Sequence, residues 1–139
     1  MSDPYDLQRF VNAQEPVYER VCQELRAGRK SSHWMWFIFP QIEGLGRSST
    51  AQRYALSSRE EAAAYLLHPV LGPRLGQCVN AMLQLQGRTL RQILGTPDDL
   101  KFRSCMTLFA NATADNRLLL DALAKYCHSE FDAATLARL

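Results

Sequence analysis

Apolar residues recur along most of the chain at spacings of three and four positions, which is the pattern of a helix with one buried face. The clearest stripe consists of Leu71, Leu75, Cys78, Val79, Met82 and Leu85. It predicts a helix from residue 72 or 73 to residue 86. A second segment, residues 96–109, is apolar on nearly all sides, so we expect its helix to lie at the centre of the fold.

Residues that favour helix starts divide the rest of the chain into short elements. Ser, Thr and Asp side chains accept hydrogen bonds from the first backbone N–H groups of a helix, and Pro fits its first position. Such residues are Asp3 with Pro4, Pro16, Ser48, Ser57 with Glu60, Ser58 with Glu61, Thr89, Thr96 with Pro97, Asp115 and Asp132. The sequence therefore predicts an all-α protein, a compact single-domain bundle of about eight or nine mostly short helices over residues 1–139.

The most apolar segment is residues 32–41, Ser-His-Trp-Met-Trp-Phe-Ile-Phe-Pro-Gln, which holds both tryptophans and two of the six phenylalanines. We call it the aromatic run. It must be buried, so the other elements have to pack around it. Its length fits a buried strand or a buried helix equally well. We expect a helix that ends near Pro40, because no partner strand is visible elsewhere in the chain. In that helix Trp34, Phe37, Ile38 and Gln41 share one side.

Composition and charge exclude several classes of protein. The 139 residues, 47% hydrophobic and 22% charged, are typical of one globular domain and not of a disordered or fibrous chain. The net charge of +2 gives no indication of nucleic-acid binding, which we do not expect. The charge is unevenly placed, since residues 26–59 contain six basic side chains and only one acid, Glu43.

The cysteines and the N-terminus predict a reduced, cytoplasmic setting. Cys22, Cys78, Cys105 and Cys127 lie far apart, without the spacing of a zinc site or of a disulfide framework. The N-terminus lacks a basic segment followed by an apolar one, so it does not resemble a signal peptide. The longest apolar run, residues 34–40, is too short to span a membrane. We expect no cofactor, no metal and no membrane partner.

The loop that follows the aromatic run is the first candidate for a binding site. Two glycines turn the chain into a predicted helix start, where unpaired N–H groups favour an anion, and a tryptophan face suits a flat ligand. The predicted ligand-binding residues are Trp34, Gln41, Gly44, Gly46, Arg47 and Ser48, with Arg74, Lys101 and Arg103 from other helices. The expected ligand is a small anionic molecule that carries phosphate, such as a nucleotide. The alternative is that the glycines only turn the chain and that Ser48 only caps a helix.

Two other functions remain open. One is a hydrolase that processes a nucleotide or ADP-ribose, with Glu43 or His33 in an acid–base role, although no catalytic set is evident. The other is a protein-interaction module in which the aromatic run forms an exposed patch. His68, Asp98 and Asp99 are better explained as capping or loop residues than as catalytic groups. The sequence leaves the oligomeric state open.

Five segments carry a resemblance to a known family. They are residues 6–10 (DLxRF), 32–41 (SHWMWFIFPQ), 44–48 (GLGxS), 68–75 (HPVLGxRL) and 98–109 (DDxKxRSxMTLF). In these segments the chain resembles the domain of unknown function 1810 family, a bacterial helical family sometimes labelled calpastatin. The resemblance covers nearly the whole chain and implies a mainly helical single domain, with no established activity. The label implies calpain inhibition, whereas a compact, core-forming chain differs from a disordered, polar inhibitor.

Overall fold

The structure, a computed structural model, describes residues 2–139 and contains ten helices and no strand over that range. The helices are α1 (Gln8–Gln14), α2 (Tyr18–Ala27), α3 (Met35–Ile38), α4 (Ser49–Arg53), α5 (Arg59–Leu67), α6 (Leu71–Leu83), α7 (Leu90–Leu94), α8 (Asp98–Ala110), α9 (Arg117–Tyr126) and α10 (Ala133–Leu136). The predicted all-α class is confirmed. The count exceeds eight or nine because the chain includes very short helices, and α3 and α10 have four residues each. None of the described helices has the length and apolar character needed to cross a bilayer.

Helix α8 lies at the centre of the hydrophobic core, as its apolar pattern predicts. From Ser104 to Ala110 every residue is buried. Helices α5, α7, α9 and α10 all pack against it. The buried apolar side chains of residues 2–139 form one cluster, which extends from Leu7 to Cys127. Removal of this apolar surface from water is the main contribution that stabilises the fold.

Helix α6 packs against both α2 and α9 and buries its predicted stripe as far as Met82. It ends at Leu83, three residues earlier than expected. Side chains from the end of α9 bind its last carbonyl groups. Lys125 donates to the carbonyls of Leu83 at 2.7 Å and of Leu85, and Tyr126 donates to that of Met82. A cation at this end also opposes the negative pole of the helix dipole.

Four of the predicted helix starts are confirmed by a capping hydrogen bond. The side chains that accept a backbone N–H of the following helix are those of Ser48, Ser58, Thr89 and Asp132. Thr96 and Asp115 do not cap, since the residues that precede α8 and α9 are Pro97 and Asn116 and neither makes a side-chain cap. These two starts therefore differ from the prediction.

The first helix begins about one turn later than its start residues suggested. The Asp3 carboxylate accepts the N–H groups of Leu7 at 2.8 Å and Gln8 at 3.0 Å. Between them the chain makes a turn in which Asp6 has a left-handed φ of 52°. Asp3 thus accepts the first N–H groups of α1 across an intervening turn, but the residue that directly precedes the helix is Leu7.

Arg9 and Glu61 join α1 to the segment between α4 and α5. The Arg9 guanidinium donates to the carbonyl groups of Arg53 and Ala55, each at 2.9 Å, and to the Glu61 carboxylate at 3.1 Å. Glu61 also accepts the N–H and the hydroxyl of Ser57, each at 2.8 Å. The predicted capping box of Ser57 with Glu60 is therefore not formed, because Ser57 bonds to Glu61 instead.

The aromatic run forms only one helical turn. Helix α3 ends at Ile38, and Pro40 prevents its continuation, as predicted. The chain beyond it is extended, and Ile42 forms an isolated parallel bridge with Leu56. Helix α4 ends at Arg53, and the backbone of Leu56 is bonded in this bridge instead of in a helix.

Candidate functional site

Trp34, which was predicted to face a ligand, is part of the core. It is only 1% exposed. Its indole N–H donates to the Glu24 carboxylate at 2.9 Å, and the Lys30 ammonium lies 5.2 Å from its ring centroid. A ring this deeply buried has no open face on which a small molecule can stack.

Glu24 holds the start of the aromatic run in place. Its carboxylate accepts the N–H groups of Ser31 at 2.8 Å and Ser32 at 3.1 Å, the Ser32 hydroxyl at 2.6 Å and the Trp34 indole N–H. Burial by itself raises the pKa of Glu24, but these bonds outweigh it and lower the pKa from 4.5 to about 2. The sequence did contain a sign of this residue, because an acid within the apolar stripe of α2 indicates a buried, hydrogen-bonded carboxylate.

A narrow cleft lies where α3, the glycine loop, α4 and α8 meet. Its principal lining residues are Trp36, Phe39, Gln41, Gly46, Tyr54 and Lys101, and we call it the Trp36 cleft. Three aromatic rings form its walls. The space in it that is open to water is about 10 Å³, which is room for about one water molecule.

Two polar side chains give the Trp36 cleft its chemical character. The Gln41 amide forms no hydrogen bond with any residue in the part of the chain that the structure describes, so both its donor and its acceptor remain available. The Lys101 ammonium lies 5.9 Å from the centroid of the Trp36 ring and 3.7 Å from an Asp98 oxygen. Asp98 also pairs with Lys30 at 3.0 Å. One carboxylate is thus shared by two ammonium groups, which leaves a net positive charge beside the cleft.

The glycine loop reaches the Trp36 cleft through one residue only, Gly46. A side chain at Gly46 would overlap that of Ala51, and one at Gly44 would overlap the guanidinium of Arg138, so both glycines allow close contacts. The Ser48 hydroxyl accepts the N–H of Ala51 at 3.1 Å and caps α4. The remaining loop residue of the predicted set, Arg47, is exposed to solvent.

The other two predicted arginines lie in separate places. Arg74 pairs with Glu15 at 2.8 Å and stacks over the ring of Tyr18. Arg103 pairs with Glu130 at 3.3 Å and donates to the carbonyl of Phe131. Of the nine predicted residues, the structure brings Gln41, Gly46 and Lys101 together in the Trp36 cleft. Gly44, Arg47 and Ser48 belong to the adjoining loop, and Trp34, Arg74 and Arg103 lie elsewhere.

The features required by the two alternative functions are not found in this cleft. Glu43 and His33 are exposed and do not line it. The nitrogen Nδ1 of His68 accepts the N–H groups of Val70 and Leu71 at the start of α6, which is the capping role expected for it. The aromatic run is largely buried, so it does not form the exposed patch that an interaction module would use. Among the described residues, no group of three or more His, Cys, Asp and Glu side chains could hold a metal ion.

Comparison with known proteins places the chain in a family. A family described as "Protein of unknown function (DUF1810)" matches residues 4–139. The chain is also similar to a solved structure, that of the conserved hypothetical protein Rv1873 from Mycobacterium tuberculosis. The two share 57% sequence identity over 99% of this chain and 98% of that chain, with a TM-score of 0.98. No curated protein matches the chain. The resemblance seen in the sequence is confirmed, and the chain belongs to the DUF1810 family.

Proposed function

We propose that the chain binds a small molecule with a flat apolar part and an anionic group at the Trp36 cleft. The observation that supports this most directly is that Lys101 of α8 lies in one aromatic-walled cleft with Gln41 and Gly46. The proposal keeps these three of the predicted residues and adds Trp36. Gly44, Arg47 and Ser48 stay in it as residues of the rim.

The chemistry of the lining fits such a ligand. Trp36 and Tyr54 offer ring faces to a planar group. The Lys101 ammonium attracts a phosphate or carboxylate, and the Gln41 amide can donate to one ligand atom and accept from another. A nucleotide combines a planar base with phosphate and is one member of this class.

The size of the cleft places a condition on binding. Space for about one water molecule cannot hold a nucleotide, so the ligand has to displace part of the wall. The glycine loop is the part that we expect to move. In this wall Gly46, which has no side chain, lies against the small side chain of Ala51, so no large side chain anchors the loop there. Binding should therefore be accompanied by a change at residues 44–48.

Fluorescence can test the proposal directly, because the chain has only two tryptophans and one of them is buried. A panel of nucleotides and sugar phosphates is titrated into the wild type, and a ligand is accepted when it changes tryptophan emission and raises the unfolding midpoint. In Trp36→Phe the emission change should disappear, since Trp34 remains shielded. Lys101→Met should weaken binding about tenfold, the loss expected for one charge-assisted hydrogen bond.

Arg20→Met is the matched control, because it removes an exposed cation of α2 that does not line the cleft. It should leave the affinity unchanged. If no member of the panel raises the unfolding midpoint, or if Lys101→Met and Arg20→Met weaken binding equally, the Trp36 cleft is not the site. We place this activity in a reduced, cytoplasmic setting, which the four free cysteines favour.

A further inference from the structure

Helices α2 and α6 lie side by side and point in the same direction. Near their starts, the Tyr18 hydroxyl lies 3.4 Å from the carbonyl oxygen of Arg74, a residue 56 positions later. Just past their ends, the guanidinium of Arg88 donates to the carbonyl of Gly28 at 2.9 Å, across 60 positions. A residue of α2 is therefore opposite a residue of α6 that lies about 56 to 60 positions further along the chain.

This register places two cysteines opposite each other. Cys22 is one helical turn after Tyr18, Cys78 is one turn after Arg74, and the two cysteines are again 56 positions apart. Burial, and after it the adjoining thiols of Cys78 and Cys22, raises the pKa of Tyr18 above its ordinary value, so both sulfurs lie near the Tyr18 hydroxyl. Cys78 is 1% exposed, whereas Cys22 is half-buried and in contact with solvent.

We propose that Cys22 and Cys78 form a disulfide that cross-links α2 to α6 when the protein meets a hydroperoxide. The pair does not line the Trp36 cleft, and the proposal is independent of the proposed function. Cys105 and Cys127 are buried elsewhere in the core, and they serve as internal references.

The reaction takes place in two balanced steps. The Cys22 sulfur attacks hydrogen peroxide, an S–O bond forms as the O–O bond breaks, and Cys22 becomes a sulfenic acid with release of one water. The Cys78 sulfur then attacks the Cys22 sulfur, and an S–S bond forms as the S–O bond breaks. The hydroxide that leaves Cys22 takes up the Cys78 proton and is released as the second water. Two thiols are oxidised and one peroxide is reduced.

The order of these steps follows from burial. Burial is the main reason that the pKa of Cys78 is raised to about 12, and the adjoining Cys22 thiol is the second reason. Cys78 therefore remains a thiol at neutral pH. The half-buried Cys22 is therefore the partner that meets the oxidant first, and the buried Cys78 completes the bond.

Peptide mapping gives a clear test, because the four cysteines fall on four different tryptic peptides. The folded wild type is treated with hydrogen peroxide, its remaining thiols are alkylated under denaturing conditions, and the digest is analysed without reduction. We expect one cross-linked species that joins residues 21–26 to residues 75–88, with Cys105 and Cys127 alkylated. The oxidised protein should also unfold at a higher temperature, and dithiothreitol should reverse this shift.

Three variants complete the test. Cys22→Ser and Cys78→Ser should abolish the cross-linked species, and Cys127→Ser should retain it. The proposal is overturned if Cys22 in the wild type proceeds to sulfinic acid while Cys78 can still be alkylated. It is equally overturned if cross-links to Cys105 or Cys127 form in the same yield as the cross-link between Cys22 and Cys78. Both results come from the wild type alone, so a variant that fails to fold does not prevent the decision.

Discussion

Replacing Glu24 by glutamine tests whether one carboxylate holds the aromatic run in place. Glutamine has the same shape, but it keeps a single acceptor oxygen, and its amide hydrogens face groups that are themselves donors. In the wild type these donors are the N–H groups of Ser31 and Ser32, the Ser32 hydroxyl and the buried indole N–H of Trp34. The variant therefore leaves at least one donor without a partner, which lowers stability.

The size of the effect follows from the depressed pKa. A pKa of about 2 in place of 4.5 corresponds to an upper limit of about 3.5 kcal/mol, at about 1.4 kcal/mol per unit. Ser31 is exposed, so water near it weakens the electrostatic part of this stabilisation. We expect Glu24→Gln to lower the free energy of unfolding by about 2 kcal/mol at pH 7.

The pH dependence has a definite sign. A carboxyl group whose pKa is lower in the folded state stabilises the fold fully above its unfolded pKa, and the stabilisation is lost as the pH falls toward the folded pKa. The difference between wild type and Glu24→Gln should therefore be constant near neutrality and shrink between pH 4.5 and about 2. Hydrogen bonds from Leu7 and Gln8 also lower the pKa of Asp3, but Asp3 is present in both proteins and cancels in the difference.

Urea unfolding followed by far-ultraviolet circular dichroism measures this difference at pH 7 and pH 3. Glu19→Gln is the matched control, because Glu19 is an exposed acid on the same helix, and its loss should change stability by less than about 0.5 kcal/mol. The reasoning is refuted if the two variants cost the same free energy, or if the cost of Glu24→Gln is as large at pH 3 as at pH 7.

Two further predictions concern stability and use the same urea assay. Gly72→Ala should destabilise the protein by about 1–3 kcal/mol, because its methyl group would overlap the carbonyl oxygen of Leu66. Gly76→Ala, one turn along the same helix, has no contact closer than 4.0 Å and should stabilise it by about 0.5–1 kcal/mol, so equal signs would contradict the packing described. Arg9→Met leaves a buried carboxylate and two carbonyl groups without their donor and should cost about 3 kcal/mol. Arg20→Met should cost less than about 0.5 kcal/mol, and a similar cost for both would show that the buried ion pair does not stabilise the fold.

The parts of the fold that depend on local spacing were predictable from the sequence. The stripe of α6 and the caps at Ser58 and Thr89 involve residues three or four positions apart, so the information lies within one segment. The start of α9 was not predictable in this way. Asp115 and Asn116 are both suitable caps, but the Asn116 side chain donates instead to the carbonyl of Ala110 at the end of α8. That contact depends on how two helices meet.

The positions of the two tryptophans differ from the expected helix for a similar reason, since Trp34 lies in the core and Trp36 lines the cleft. A helix that continued through Gln41 would have placed Trp34 and Gln41 on one side, but Pro40 ends α3 after a single turn. The extended chain that follows instead brings Gln41 into the same cleft as Trp36.

The positive charge of the proposed site also comes from outside the basic segment. Residues 26–59 carry six basic side chains and one acid, a local excess of five positive charges, but none of these basic side chains lines the cleft. Lys101 of α8 supplies the charge there, beside the shared carboxylate of Asp98. A count of charge along the chain therefore does not show where positive charge lies in the folded protein. The positive charge beside the Trp36 cleft comes from α8, which is distant from residues 26–59 in sequence. The ligand test therefore depends on Trp36 and Lys101, and a ligand whose binding is unaffected by changing either residue binds elsewhere on the protein.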